Sequence, residues 1–321
     1  MKFKGFQVSE GLQAKHVVVD EGHAGQRLDN FLLGQLKGAP RALIYRIVRT
    51  GEVRVNRGRA RVDLRLALGD RVRVPPLRLA ASTLPASPGQ ELATHLQSRI
   101  LFEDAGLLVL DKPHGLAVHG GSGVQLGVIE ALRALRPQYK FLELVHRLDR
   151  DTSGLLLVAS QRQVLLALQA QLREEHMFKR YDTVLVGEVK GRRHRVERPL
   201  HKYVLPSGER RVRIDQQGKT ARSDFQVQDV VGGLSFASVR IHTGRTHQIR
   251  VHAQSLGHPV LGDDKYGDAR INACWREQGL ARLFLHAAEL ELQLPGRGSL
   301  HFAAPAPEGF LDLRARLGVS L

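Results

Sequence analysis

Cysteine occurs once in the 321 residues, at Cys274. That excludes an intramolecular disulfide framework and fits a protein kept in a reducing compartment, so the expected location is the cytoplasm and Cys274 reads as a passive helix residue. Long apolar runs are missing too: none approaches the roughly 20 residues that would span a bilayer. The opening Met1-Lys2-Phe3-Lys4-Gly5 has no apolar core of the kind a signal peptide carries. Internal repeats, low-complexity tracts and heptad seams are absent, and a monomer is expected. Acidic residues are the scarce charge, 32 against 48 lysines and arginines, for a net charge of +16. Such an excess points to a polyanionic partner, because each contacted phosphate releases condensed counterions.

Hydrophobic residues make up 42% of the chain, enough for ordinary cores, and its length favours two domains. Residues 1–16 lack periodicity and read as a flexible tail. Leu28, Phe31, Leu32 and Leu36 recur at helical spacing, Gly38-Ala39-Pro40 breaks the pattern, and Leu43, Ile44, Ile47 and Val48 resume it. Short alternating segments at Val53, Val55, Val72 and Val74 complete a first module over 17–77. Lys37, Arg41, Arg46, Arg49, Arg54, Arg57 and Arg59 fall mostly where its apolar stripe leaves room, a surface suited to an RNA backbone or, more plainly, a solvated face. Residues 78–98, rich in proline, serine and glycine, read as a linker.

The second domain, 99–321, carries strand patterns at 107–110, 155–159, 181–189, 222–230, 234–242 and 284–294. Helix patterns fall at 126–136, 162–174, 246–256 and 308–317. Val231-Gly232-Gly233-Leu234 looks like a hairpin connection, so the fold class is α+β with a mixed, largely antiparallel sheet.

The densest chemistry lies in HRLDRDTSG, residues 146–154, directly before the strand pattern 155–159. Charged side chains at the end of a buried strand converge on a ligand in many folds, which makes Asp149 the first candidate; a solvated turn of paired arginines and aspartates is the plainer alternative. Arg147, two residues earlier in an extended segment, projects on the same side. His242, His247, His252 and His258 miss the i, i+4 spacing of a helical metal site, and no HExxH frame is present, so no metal is expected. Gly120-Gly121-Ser122-Gly123 lacks the lysine and hydroxyl of a nucleotide-binding loop and reads as a loop that touches RNA.

Together with LVLDKPHGLAVHGG (108–121), KRYDTVLVG (179–187), TGRTHQIRVHAQ (243–254) and FLHAAEL (284–290), this loop resembles the RluA/RluC/RluD family of ribosomal-RNA pseudouridine synthases. Residues 25–56 and 119–137 are most similar to the RluC type. The first module likewise resembles the alpha-L RNA-binding domain.

The resemblance implies isomerisation of uridine to pseudouridine in large-subunit ribosomal RNA, either free or within an assembling subunit. Asp149 would be the essential carboxylate, attacking the ribosyl carbon or the uracil ring, or removing a ribose proton to give a glycal, chemistry that requires no cofactor. Arg245 would pair with Asp149, although on residue types alone it could equally bind a phosphate. Tyr181 would stack on the flipped base and hydrogen-bond near the carboxylate, where the residue alone suggests a core tyrosine capping a strand. Arg147 would fill the gap left by the extruded uridine. His146 and Thr152 read as scaffolding or phosphate contacts, and Ile249 as a core residue or a contact to the base. Two other readings are a transfer-RNA pseudouridine synthase and a non-catalytic RNA-binding assembly factor on the same fold.

Overall fold

The computed structural model describes residues 14–36, 39–77, 88–120 and 126–318. Most of the expected tail, Lys37, all of 78–87 in the expected linker, and Gly121-Ser122-Gly123 lie outside them. The chain forms two units, Met1–Ala86 and Ser87–Leu321.

The first unit runs β1 (Lys15–Val18), α1 (Leu28–Gln35), α2 (Arg41–Arg49), β2 (Arg54–Val55), β3 (Gly58–Arg59) and β4 (Arg71–Val74). The expected tail therefore gives way to a strand at Lys15, paired antiparallel with β4. The spaced apolar residues behave as their periodicity predicts: Leu28, Phe31 and Leu32 of α1 and Ile44 and Ile47 of α2 are sealed in one core with Val53 and Val72. Asn56 and Arg57 make the two-residue turn between β2 and β3, both in the left-handed region at φ 48° and 69°. Glycine is the usual occupant there, so an arginine bears a steric cost of about 1 kcal/mol.

The second unit opens with α3 (Gln90–Gln97), inside the expected linker: Leu92 and Leu96, four apart, turn one face of 90–97 onto the core. It continues through β5 (Ile100–Asp104), β6 (Leu107–Lys112), α4 (Val128–Leu135), β7 (Glu143–Leu144), β8 (Ser153–Ala159) and α5 (Arg162–Arg173). Next come β9 (Phe178–Val186), β10 (Arg193–Glu197), a hairpin of β11 (Leu200–Val204) and β12 (Arg210–Ile214), then β13 (Arg222–Val231) and β14 (Leu234–Ile241). The last elements are α6 (Gln248–Ser255), α7 (Ala269–Glu277), β15 (Leu285–Leu294), β16 (Gly298–Ala303) and α8 (Glu308–Arg316).

Ten strands form one sheet in the order β10-β13-β14-β9-β15-β8-β6-β5, with β16 on β15 and β7 on β8. Its pairings are antiparallel except β8 with β15. The fold class is α+β, as expected. β6 and β8 are buried along their whole length, which is why they read as continuous apolar runs. Gly232 and Gly233, at φ 59° and 72°, close the expected hairpin between β13 and β14. Gly154 is required for another reason: a Cβ there would lie 2.2 Å from the Ala287 carbonyl oxygen, where β8 crosses β15. Among the described residues, no helix is long and apolar enough to cross a membrane.

Candidate active site

The loop between β7 and β8 carries the charged motif to the start of β8. Its outgoing end is fixed by Val145, whose N–H donates to the Leu157 carbonyl (3.0 Å), and by His146, whose Nε2 accepts from the Leu157 N–H (3.1 Å). Burial, then the nearby Lys179 charge, lowers the His146 pKa to about 4, so the ring stays neutral and can accept. Lys112 holds the returning end. Wholly buried at the close of β6, its ammonium donates to the carbonyls of Pro113 (2.7 Å), Leu116 (2.8 Å) and Arg150 (2.9 Å). Ser153 is gripped from behind by Arg282 (2.7 Å) and His286 (2.9 Å). His146 and Lys112 thus pin the stretch between them, and Asp149 sits inside it.

Two pockets of about 460 and 60 Å3 share Arg147, Asp149, Tyr181, Ile241 and Arg245 in their walls. His146 lines the larger, and Thr152 and Ile249 the smaller. The structure therefore brings seven sequence-derived candidates, His146, Arg147, Asp149, Thr152, Tyr181, Arg245 and Ile249, into one cleft. Tyr181, on β9, is buried; burial first, and then the Asp149 charge, raises its pKa, so the phenol keeps its proton. Ile249 belongs to the core as well as to the pocket wall, so the two sequence readings describe one position. Thr152 is buried, and its N–H donates to the Asp149 carbonyl (3.2 Å).

The expected ion pair is corrected. The guanidinium on the Asp149 carboxylate belongs to Arg250, whose Nη1 lies 3.2 Å from Oδ2. Arg245 is exposed, and its Nε donates to the Thr220 carbonyl (3.0 Å). Gln248 accounts for the difference. Its Oε1 accepts from Thr243 Oγ1 (2.8 Å) and the Arg245 N–H (3.1 Å), and its Nε2 donates to the Arg222 carbonyl (2.9 Å), so the turn is tied to β13. Helix α6 then starts at Gln248 and presents Arg250 inward.

Arg250 is tolerated there because Asp263, with no side-chain exposure, accepts from its Nε and Nη2, both at 2.7 Å. Burial works against the charged arginine, but hydrogen bonding and attraction from Asp263, then Asp149, raise its pKa beyond the ordinary value. With two of its three nitrogens on Asp263, only Nη1 reaches Asp149. A buried arginine needs a buried carboxylate, and Asp263 lies 13 residues downstream, so no local spacing advertised the pair.

The four histidines weighed as metal ligands are dispersed: His242 is on Asp224 (2.7 Å), His247 on Tyr266 (2.7 Å), His252 on Ser223 (2.9 Å) and His258 on the Val186 carbonyl (2.9 Å). Among the described residues, the group spaced to hold an ion is Glu289, Glu291 and His301 on β15 and β16. It lies apart from the cleft walls, and Glu289 is already paired with Arg180 and His301.

The other three candidates lie in the first unit. Arg41 and Arg46 are on α2, whereas Arg57 lines a groove of about 540 Å3 across the small sheet with His16, Arg54, Asn56, Arg71 and Arg73. The sequence reading left out Arg71, Arg73 and His16. Strand alternation puts both arginines of β4 on one face, which is the signal that could have found them.

A family model described as RNA pseudouridylate synthase matches residues 106–255, a span that holds Asp149, Tyr181, Arg245 and Arg250. The chain is 49% identical to ribosomal large subunit pseudouridine synthase C of Escherichia coli (strain K12), over 94% of this chain and 96% of that one. It is 48% identical to the protein of the same name from Haemophilus influenzae, over 90% and 91%. Among solved structures, human RNA pseudouridylate synthase domain containing 4 superposes with a TM-score of 0.60 at 28% identity, covering 72% of this chain and 97% of the other.

Proposed function

The chain belongs to the RNA pseudouridylate synthase family, and from that premise we propose that it isomerises specific uridines to pseudouridine in large-subunit ribosomal RNA, with Asp149 as the reacting carboxylate. One observation carries the assignment of the residue: the Asp149 carboxylate opens into a cleft beside a protonated Tyr181 while one of its oxygens is held by Arg250.

The reaction breaks the bond between uracil and ribose, turns the retained base, joins the sugar to a ring carbon and releases the proton of that carbon. An anionic oxygen at the cleft floor serves attack on the ribosyl carbon, attack on the ring, or removal of a ribose proton. Arg250 offsets the local cost of keeping that oxygen charged. Tyr181 offers a ring for the base to stack on and a hydroxyl that can donate. Arg147, exposed at the rim, fills the gap that the uridine leaves when it swings out, which offsets part of a few kcal/mol of lost stacking. Arg245, also exposed and on the wall, takes a backbone phosphate. The first unit adds a basic surface that lengthens the RNA footprint.

The protein acts as a monomer in the cytoplasm on this reading, and the likeness of its relatives favours ribosomal over transfer RNA. Carbodiimide mapping of pseudouridine in ribosomal RNA tests it. Asp149→Asn, which keeps shape and removes charge, should abolish product while leaving RNA affinity within about twofold; product at the wild-type rate would refute the assignment.

A further inference from the structure

Arg250 and His247 both approach the Asp149 carboxylate at the same oxygen. Arg250 Nη1 is 3.2 Å from Oδ2, and His247 Nε2 is 3.8 Å from it. Nothing in the activity assigns His247 a part, yet its placement is costly. It is the residue before α6, held in the left-handed region at φ 53° and ψ 22°. A non-glycine residue there bears about 1 to 2 kcal/mol of strain, and such strain collects where the surrounding structure fixes a side chain for use.

The ring is fixed from its other nitrogen. Nδ1 lies 2.7 Å from the Tyr266 hydroxyl, and that hydroxyl accepts from the Val212 N–H at 2.9 Å. Since Val212 supplies the hydrogen on its bond to Tyr266, the hydroxyl's own hydrogen is free to point at Nδ1. The imidazole hydrogen then belongs on Nε2, the atom that faces the carboxylate. The Tyr266 and His247 rings also meet edge to face at 5.4 Å, so the orientation is held by packing as well as by the hydrogen bond. Burial lowers the histidine's pKa to about 4, which keeps it a single-hydrogen donor at neutral pH.

We propose that His247 is a positioning residue for Asp149: with its tautomer set by Tyr266, its Nε2–H and Arg250 together hold Oδ2, leaving Oδ1 as the oxygen that meets the nucleotide. The inference rests on Asp149 being the reacting group. The present 3.8 Å gap exceeds a hydrogen bond of about 2.9 Å, and the ring and carboxylate close it when the nucleotide fills the cleft, as catalytic hydrogen bonds commonly tighten on substrate binding. Val212 belongs to the β11–β12 hairpin, so the same relay makes the hairpin part of the frame that aims the carboxylate.

The test compares full-length wild type, Tyr266→Phe, His247→Asn and Asp149→Asn on a large-subunit ribosomal-RNA transcript. The readouts are single-turnover rate at saturating protein, RNA affinity, thermal unfolding and the nitrogen resonances of the histidine rings. Phenylalanine keeps the ring contact and removes the hydroxyl; asparagine accepts left-handed backbone and removes the imidazole. The expected result is a single-turnover rate lowered about tenfold in Tyr266→Phe and His247→Asn, with RNA affinity within about twofold and little change in unfolding temperature. His247 should carry its hydrogen on Nε2 in the wild type and become a tautomer mixture in Tyr266→Phe. A wild-type rate in His247→Asn, a rate loss that merely tracks RNA affinity or unfolding, or a wild-type ring protonated on Nδ1 would each overturn the proposal. If Asp149→Asn retained full activity, the carboxylate reading would fail and take this one with it. An inactive Asp149→Asn beside a fully active His247→Asn would sink only the role of His247.

Discussion

At the scale of the residue, the two arginines of TGRTHQIR divide the work in a way their spacing conceals. Arg250 is buried between two carboxylates, while Arg245 reaches a backbone carbonyl and solvent. Arg250→Ala strands Asp263 in the interior, and breaking a buried pair from one side costs about 3–5 kcal/mol, so unfolding should be markedly easier and product absent. Arg245→Ala should fold normally and weaken RNA binding. Denaturant titration and filter binding separate the two, and the reverse pattern would restore the pairing expected from sequence. The imidazoles supply a second check. His146, His247 and His286 are each lowered to about 4, burial being the largest cause. In the unfolded chain they would take up protons from the ordinary value of 6.5 downward. Between about pH 6.5 and 4 the unfolded state therefore binds more protons than the fold, and stability should fall as pH is lowered through that window. His286→Gln should show a shallower slope of unfolding free energy against pH there.

At the scale of the element, legibility followed apolar content. β6 and β8 announced themselves as unbroken runs, and β13 to β14 through a glycine pair. The strands β10, β11 and β12 did not, because sequences such as RHRVE and RRVRI pack only one side, or less, and carry charge on the rest. Helix α3 hid for a related reason: its buried contact to the core is centred on Leu96, within a stretch that otherwise resembles a linker. The cleft was legible as a set of motifs, whereas the contacts that aim them were not. Asp263, Tyr266 and Lys112 act through partners 13, 19 and 38 residues away in sequence. The turn between β2 and β3 yields a prediction of its own. Arg57→Gly relieves a left-handed arginine and should stabilise the first unit by about 1 kcal/mol. It should also weaken RNA binding, because it removes a cation from the groove; a variant that is stabler and binds RNA fully would show the groove to be idle.

At the scale of the whole molecule, an excess of 16 positive charges makes RNA binding steeply dependent on salt. If the groove of Arg54, Arg57, Arg71 and Arg73 grips phosphate, each alanine substitution there should reduce the slope of log affinity against log salt by about 0.7 to 0.9. An unchanged slope would assign the excess elsewhere. Against this cationic background the duplication of anions around one guanidinium has a chemical meaning. On the proposal that Asp149 is the reacting group, its negative charge vanishes mid-cycle when its oxygen bonds to carbon or takes a proton. Arg250 does not then become a stranded cation in a low-dielectric interior, since Asp263 remains as a permanent counter-ion on two of its nitrogens. On that proposal the intermediate is spared an electrostatic penalty, and the site can surrender and recover its reactive charge without rearranging its floor.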